Sequence, residues 1–267
     1  MLLNCRRELL RRRSFIHAVC SRASLLLVSL VAGLALGLNA RGGALTFTSK
    51  NSGTHLLELF TSEGCSSCPP AEAWLGRLKS DDRLWQDFVP IAFHVDYWDR
   101  LGWKDRFAQP EWPQRQRAYA NQWGSSSVYT PGFVLDGSEW QDWSRKLSLP
   151  RRENAGLLTA TVNANLITIT FQAAGKFTGG SAHVAWLGFN LSSNVGAGEN
   201  AGRSLRHDFV VLRHAAGLLV RNGNGSWKTE LNSSGAEDDA GAIACWMETD
   251  GVPVQATGGW LPNTTKK

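Results

Sequence analysis

The sequence has little of several features that mark well-known protein classes. Its 267 residues include five cysteines and two methionines, and a CxxC pair occurs once, at Cys65 and Cys68. A structural zinc site needs four ligands, and the remaining thiols and histidines are scattered along the chain. Sparse methionine argues against a copper carrier that relies on thioether ligands. The sequence therefore predicts no metal site, and it contains nothing that requires a cofactor.

An excess of positive charge is missing from most of the chain. The net charge of +5 comes from residues 1–40, which hold six Arg and one Glu. The rest carries 22 basic and 22 acidic side chains, because 28 − 6 and 23 − 1 both give 22. A neutral surface lacks the basic patch that nucleic-acid binding needs, so no nucleic-acid partner is predicted.

Long hydrophobic runs are also missing. The longest, from about Leu25 to Leu38, is shorter than the roughly 18 to 20 residues of a spanning helix. It follows a basic stretch that runs through Arg13, and Leu38-Asn39-Ala40 comes at its end; the small final residue is typical of a signal peptide cleaved after residue 40. Inside the basic stretch, Arg12-Arg13-Ser14-Phe15-Ile16 resembles the twin-arginine export pattern; an ordinary Sec signal and a retained membrane anchor are the alternatives.

Export determines how the cysteines are interpreted. Cys5 and Cys20 leave with the leader, so the mature chain keeps Cys65, Cys68 and Cys245. We expect this chain to be periplasmic or secreted, without a membrane span after cleavage, in a compartment where disulfides form and persist.

Two halves with different patterns follow the leader. Strand and helix signals alternate in the first, predicted as an α/β domain at 52–148, whereas short strands and Gly-rich turns in 155–262 predict an all-β sandwich-like domain. In the first half, a strand at His55–Phe60 leads to the cysteines, and Ala71, Trp74, Leu75 and Leu78 form one apolar helical face with Glu72 off it. The Gly-rich stretch 196–202 matches neither GxGxxG nor a P-loop and is predicted as a loop.

The run Cys65-Ser66-Ser67-Cys68 has the spacing of a redox dithiol. Two intervening residues at a strand-to-helix turn bring the sulfurs close enough for a disulfide, and helix N-terminal amides stabilise the thiolate form of Cys65. Cys65 is then the attacking sulfur and Cys68 the resolving one. Two alternatives stay open: a structural disulfide, and a copper or metal chaperone that uses the same thiolates with His94 as third ligand.

A proline supports the dithiol hypothesis. Thr130-Pro131 precedes a predicted strand, and a Pro at that point can be a cis-Pro packed beside the dithiol. An ordinary trans turn proline is the alternative.

With these motifs the sequence resembles a secreted bacterial family that is catalogued as a domain of unknown function and has a thioredoxin-like fold. The resemblance covers about residues 55 to 260 and is carried by Leu57 through Ala71, Phe93 through Asp99, Leu101 through Asp105, Gln116 through Tyr119, Val128 through Pro131, and Gly198 through Arg203 with Leu205 and His207. It implies a thioredoxin-like first domain, an active-site CxxC and a proline loop, but no substrate.

The sequence departs from thioredoxin proper at several positions. No Trp precedes Cys65, the inter-cysteine pair is Ser-Ser, and Gly132 stands where the family usually has Gln. Reduction potential and direction of exchange therefore do not transfer. Glu58 lies near where thioredoxins keep a buried proton-transferring acid and is a candidate to deprotonate Cys68; a strand-end carboxylate paired with a base is the alternative.

Four further residues are candidates for a substrate rim, because they follow the second predicted strand, where α/β sheets present their sites. They are His94, Asp96, Trp98 and Trp103. A local His94–Asp96 hydrogen bond and simple packing of the tryptophans are the alternatives, and Cys245 is interpreted as a buried small hydrophobe. The leading hypothesis is a thiol-disulfide oxidoreductase acting on protein thiols and disulfides. A metal chaperone and a non-catalytic interaction protein with a structural disulfide remain as alternatives.

Overall fold

The computed structural model describes residues 43–163, 165–232 and 240–262. The expected leader, with Cys5, Cys20 and the arginine pair, lies outside these ranges. From Ala44 onward the chain forms one compact unit. None of the helices in the described ranges is long and apolar enough to cross a membrane.

Fifteen strands and two α-helices make up the described ranges. The strands are β1 (Leu45–Thr48), β2 (His55–Thr61), β3 (Phe88–His94), β4 (Gly132–Leu135), β5 (Ser138–Glu139), β6 (Leu157–Asn163), β7 (Leu166–Gln172), β8 (Ser181–Gly188), β9 (Leu191–Asn194), β10 (Ser204–His207), β11 (Val210–Leu218), β12 (Val220–Arg221), β13 (Trp227–Asn232), β14 (Ala242–Thr249) and β15 (Val252–Trp260). The helices are α1 (Cys68–Arg77) and α2 (Glu111–Gln122), with short 3₁₀ helices at Leu78–Ser80, Asp99–Leu101 and Asp142–Ser144.

One large mixed sheet runs through both halves of the sequence. Its eight strands lie in the order β15-β14-β8-β11-β3-β2-β4-β5. Strands β2 and β3 are parallel, β4 is antiparallel to β2, and β11 joins β3 in parallel with Val210 opposite Ala92. A second sheet, β1-β6-β7-β13-β12, is antiparallel, and β9 and β10 form a two-stranded ribbon.

The predicted fold class is wrong. We expected an α/β thioredoxin-like domain followed by an all-β sandwich-like domain, whereas the described chain is mostly β and its large sheet is shared by both halves. The physical reason is the β3–β11 pairing, which gives β3 a partner from the C-terminal half. The segment limits 52–148 and 155–262 stay predictions.

Strand β2, which leads to the two cysteines, is buried along its whole length. All seven residues of β2 are buried, as expected of a central parallel strand covered on both faces. Side chains alternate between the faces of a strand, so Glu58 and Thr61 point to opposite sides. The Thr61 hydroxyl donates to Glu72 of α1 and Glu58 contacts Arg115 of α2, so one helix covers each face.

Strands β6 and β7 have the half-buried pattern of a sheet with one solvent face. Their inward residues, among them Leu158, Ile167 and Ile169, pack against Trp186 and Ile243 of the large sheet. The C-terminal half is therefore two packed β layers that share a sheet with the CxxC-bearing half.

Candidate functional site

The two cysteines form a disulfide at the turn between β2 and α1. Their Cα atoms are 5.5 Å apart. The Cys65 amide donates to the Ser62 carbonyl and the Cys68 amide to the Cys65 carbonyl, both at 3.2 Å. Helix α1 begins at Cys68 with prolines in its first turn, where missing N–H groups cost little. The local sequence thus places the Cys65–Cys68 disulfide directly at the N-terminus of α1.

The sulfurs face inward at this turn. Cys65 and Cys68 are each 0% exposed, whereas Ser66 and Ser67 lie on the surface. The Ser67 hydroxyl is 3.3 Å from Cys65 Sγ. The two intervening serines are therefore the solvent-facing part of the motif.

The Thr130-Pro131 segment lies beside the disulfide, and its peptide bond is cis, as the sequence predicts. Cys65 Sγ is 3.7 Å from the Thr130 carbonyl oxygen. Trp98 Nε1 donates to Thr130 Oγ1 at 2.8 Å, and a Cβ at Gly64 would lie 2.8 Å from that of Trp98. Three predicted site residues, Trp98, Thr130 and Pro131, are thus brought to the CxxC turn, and Gly64 allows their close approach.

A loop from the C-terminal half packs onto the same turn. We call residues 196–202 the covering loop; it is a loop, as the sequence predicts. Asn200, fully buried, donates from Nδ2 to the carbonyls of Glu63 and Cys65, each at 2.9 Å. Glu199 accepts hydrogen bonds from the Ser66 amide at 3.1 Å and the Ser66 hydroxyl at 2.7 Å. The covering loop therefore holds the turn at both its buried and its exposed ends.

Below the turn lies a buried group of ionisable side chains, the acid–histidine cluster: Glu63, Glu72, His94, Asp105 and His207. His94 Nδ1 is 2.7 Å from Asp105 Oδ2, and His207 Nδ1 is 2.5 Å from Glu72 Oε2. Trp103 Nε1 donates to Glu63 Oε2 at 2.6 Å. The cluster joins the end of β2, helix α1, the end of β3 and the end of β10.

Mutual charge controls protonation in this cluster. Burial alone would lower the pKa of His207, but the Glu63 and Glu72 carboxylates on its two sides raise it to about 10. Burial opposes the ionisation of Asp105 and Glu63, yet His94 lowers the pKa of Asp105 and His207 lowers that of Glu63. The cluster favours a cationic His207 ring between the anionic carboxylates of Glu63 and Glu72.

Three buried atoms of the cluster lack a hydrogen-bond partner among the described residues: Glu63 Oε1, His94 Nε2 and His207 Nε2. Glu63 Oε1 faces His207 Nε2 at 3.3 Å without hydrogen-bond alignment. One ligand atom each from Glu72, His94 and His207 lies within 4.8 Å of the other two. These residues are the ones that could hold a metal ion.

Glu58 lies elsewhere, in a second buried group that we call the Arg115 network: Glu58, Arg115, Tyr119, His183 and Glu248. Its Oε1 accepts from Arg115 Nε at 2.6 Å and its Oε2 from the Tyr119 hydroxyl at 2.7 Å. Burial raises the pKa of Glu58 against the opposing effect of Arg115. Because Glu58 is on the face opposite α1, the structure does not bring it to Cys68, and the base-paired alternative describes its surroundings.

The structure also defines the surroundings of His94 and Cys245. His94 Nδ1 pairs with Asp105, eleven positions further along the chain, so the alternative of a local His94–Asp96 hydrogen bond is not what the structure shows. His94 is 1% exposed, so it lies inside the molecule, while Asp96 and Trp103 are partly exposed. Cys245 is a free, buried thiol on β14, and burial raises its pKa.

Sequence reasoning missed Glu63, Glu72, Asp105, Asn200 and His207 as functional candidates. Glu72 looked solvent-facing because it is off the apolar face of α1, yet it is 8% exposed. The sequence did contain a signal for Glu72. This residue lies one turn after Cys68, and a carboxylate at a buried helix end must be paired.

Comparison with known proteins gives a family and two structural relatives. The model of the family described as "Protein of unknown function (DUF1223)" matches residues 56–247. No curated protein matches the chain. A crystal structure of a protein from Agrobacterium tumefaciens is similar with a TM-score of 0.59 and 24% identity, covering 80% of this chain and 96% of that one. HBP35 of Porphyromonas gingivalis is similar with a TM-score of 0.50 and 17% identity, covering 82% and 80%.

At these identities the two structures support the fold alone. The family match spans most of the sequence, including the CxxC turn, the acid–histidine cluster and the covering loop. The chain belongs to the DUF1223 family of proteins of unknown function.

Proposed function

We propose that this protein is a thiol-disulfide oxidoreductase that acts on protein thiols and disulfides through Cys65 and Cys68. The observation that carries the proposal is the Cys65–Cys68 disulfide at the N-terminus of α1, with Cys65 Sγ 3.7 Å from the carbonyl that precedes Pro131. A helix N-terminus stabilises the thiolate that exchange needs. A periplasmic setting, where disulfides persist, is part of the proposal.

The exchange conserves two electrons and two protons. In the reduced chain, the Cys65 thiolate attacks a substrate disulfide, and one substrate sulfur leaves and takes up a proton. Cys68 then loses its proton and attacks Cys65 Sγ in the mixed disulfide, which releases the second substrate thiol and leaves the Cys65–Cys68 disulfide. The reverse sequence oxidises a substrate dithiol.

Access to the sulfurs requires a local opening. Both are fully buried, but the serines between them are exposed, and the outer hold on Ser66 is the surface carboxylate of Glu199. Exposed Tyr129, 47% accessible, and Trp123, 37% accessible, both precede the Thr130-Pro131 segment in the sequence and line one shallow pocket with Gly132. These aromatic side chains supply the apolar contact area that a protein substrate would use.

The full burial of both sulfurs favours a second candidate, a non-catalytic protein with a structural disulfide. Structural disulfides resist reduction and have potentials below about −300 mV, whereas the disulfides of exchange enzymes have potentials between about −270 and −120 mV. The potential of the pair therefore separates the two functions.

The test equilibrates the purified protein with a series of glutathione buffers and traps free thiols at each potential. We expect a two-electron couple well above about −300 mV, loss of exchange in Cys65→Ala, and mixed disulfides with substrate in Cys68→Ala. Cys245→Ala is the matched control, because this thiol is buried in the β core, and exchange should be unchanged. A couple below −300 mV assigns the structural role. Exchange that persists in Cys65→Ala contradicts the oxidoreductase, and stoichiometric Cu(I) binding lost in both cysteine variants would assign the chaperone.

A further inference from the structure

We propose that the acid–histidine cluster is a binding site for one divalent transition-metal ion of the Zn²⁺ class, held by Glu72, His94 and His207 with Glu63 beside them. The sequence predicts no metal here, because the four residues are spread from position 63 to 207. The inference goes beyond the proposed exchange function and does not depend on it, since neither cysteine is a ligand.

The ligand atoms already converge. One atom each from Glu72, His94 and His207 lies within 4.8 Å of the others, and the two imidazole ring centres are 5.1 Å apart. Ligand atoms around a tetrahedral ion with bonds of about 2.0 Å are separated by about 3.3 Å. Side-chain movements on the order of 1 Å would complete the coordination.

The second contact of His94 is the one that metal-binding histidines make. His94 Nδ1 meets Asp105 Oδ2 at 2.7 Å, which fixes the ring and leaves Nε2 for a ligand. Metal-ligating histidines almost always donate their other ring N–H to a carboxylate or carbonyl in this way. Glu72 is oriented similarly by the Thr61 hydroxyl at 2.6 Å.

Buried polar atoms without a hydrogen-bond partner among the described residues occur in the same cluster; two of them, His207 Nε2 and Glu63 Oε1, are 3.3 Å apart as an ion pair. His94 and His207 are each 1% exposed and Glu63 is 0% exposed, yet Nε2 of both rings and Oε1 of Glu63 have no hydrogen-bond partner among the described residues. Buried polar atoms are nearly always paired, so a group that satisfies several of them at once explains the arrangement.

Charge also favours a cation. The cluster has three carboxylates, on Glu63, Glu72 and Asp105, against two imidazoles, and within the described ranges no Lys or Arg forms an ion pair with it. Imidazole nitrogen and carboxylate oxygen, without sulfur, suit Zn²⁺ and its first-row divalent neighbours and disfavour Cu(I).

The experiment titrates Zn²⁺ into chelator-treated full-length protein against a chromogenic competitor. We expect one ion per chain in wild type and in the Cys65→Ala/Cys68→Ala double variant. His94→Asn keeps a donor for Asp105 but removes Nε2, so binding should weaken at least 100-fold. Asp105→Asn, which changes only the orienting partner, should weaken it 10- to 100-fold.

His183→Asn is the matched control, because His183 is a buried ring that belongs to the Arg115 network and not to the proposed site. The Zn²⁺ affinity of this variant should equal that of wild type. X-ray absorption of the Zn²⁺-loaded wild type should show nitrogen and oxygen ligands near 2.0 Å and no sulfur; this readout holds even if a histidine variant fails to fold. Absence of stoichiometric binding by folded wild type, a sulfur ligand, or equal affinity in the Asp105→Asn and His183→Asn variants would overturn the proposal. In that case the acid–histidine cluster would be an ion network without a metal, in which a protonated His207 pairs with the carboxylates of Glu63 and Glu72.

Discussion

Two buried ionic networks lie on opposite faces of strand β2. They contain similar kinds of side chain but differ in how many of their buried polar atoms have a partner. In the Arg115 network, both oxygens of Glu58 are bound, and those of Glu248 meet Arg115 at 2.6 Å and His183 at 3.4 Å. In the acid–histidine cluster, Glu63 Oε1, His94 Nε2 and His207 Nε2 are buried without hydrogen-bond partners. The satisfied network is suited to holding the two halves of the chain together, and the unsatisfied one to binding.

The largest expected effect comes from removing the cation of the satisfied network. Arg115→Met leaves Glu58 and Glu248 buried without their partner, and loss of one member of a buried ion pair costs about 3–5 kcal/mol. Denaturant unfolding monitored by tryptophan fluorescence measures it. Arg117→Met, exposed on the same helix, should change stability by less than about 0.5 kcal/mol. A loss below about 1 kcal/mol for Arg115→Met would contradict the structural role.

Zinc should act on the other face alone. At a free concentration about 100 times Kd, a ligand that binds only the folded state adds about 2.7 kcal/mol to the free energy of unfolding. Because the networks share no partner, we expect the same increment in wild type and in Arg115→Met, and none in His207→Asn. Thermal unfolding with and without Zn²⁺ measures it. An increment that disappears in Arg115→Met would show that the two faces are coupled.

The covering loop gives an intermediate effect. Asn200→Ala deprives the buried carbonyls of Glu63 and Cys65 of their donor, a loss of about 1–3 kcal/mol. The turn should also open more readily, so thiol trapping of the reduced protein should become faster. Glu199→Ala, which removes only the exposed contact to Ser66, should change stability by less than about 0.5 kcal/mol. Slower trapping in Asn200→Ala would contradict the idea that the loop restricts access.

The smallest effect depends on pH. Burial alone would raise the pKa of Glu248, but Arg115 and His183 lower it below 4.5. Glu248 therefore stabilises the fold above about pH 4.5, and this contribution is lost as the pH falls through the lowered pKa. We expect Glu248→Gln to cost about 1–2 kcal/mol at pH 7 and progressively less as the solution is acidified. Exposed Glu230→Gln on β13 should show no such trend in the same denaturation series.

Local features could be predicted from the sequence because neighbouring residues determine them. The strand at His55–Phe60 corresponds to β2, and the apolar spacing after the cysteines corresponds to α1. The dipeptide Asp250-Gly251, of a type that favours tight hairpin turns, joins β14 and β15, with positive φ at both residues. Thr130-Pro131 was found because a proline at a strand entry is a local feature.

The fold class and the buried cluster could not be predicted in the same way. The β3–β11 pairing is made by backbone groups, which carry no sequence label, and it changes the architecture from two domains to one shared sheet. His207 meets Glu72 across 135 positions, and neither residue type nor spacing reveals the pair. Long-range pairing of polar side chains needs the three-dimensional path of the chain.

The covering loop also has a consequence for timing. Asn200 bonds to Glu63 across 137 positions, so the turn that carries Cys65 and Cys68 is synthesised long before the residue that holds it. The carbonyls of Glu63 and Cys65 therefore gain their side-chain donor only after most of the C-terminal half has been made.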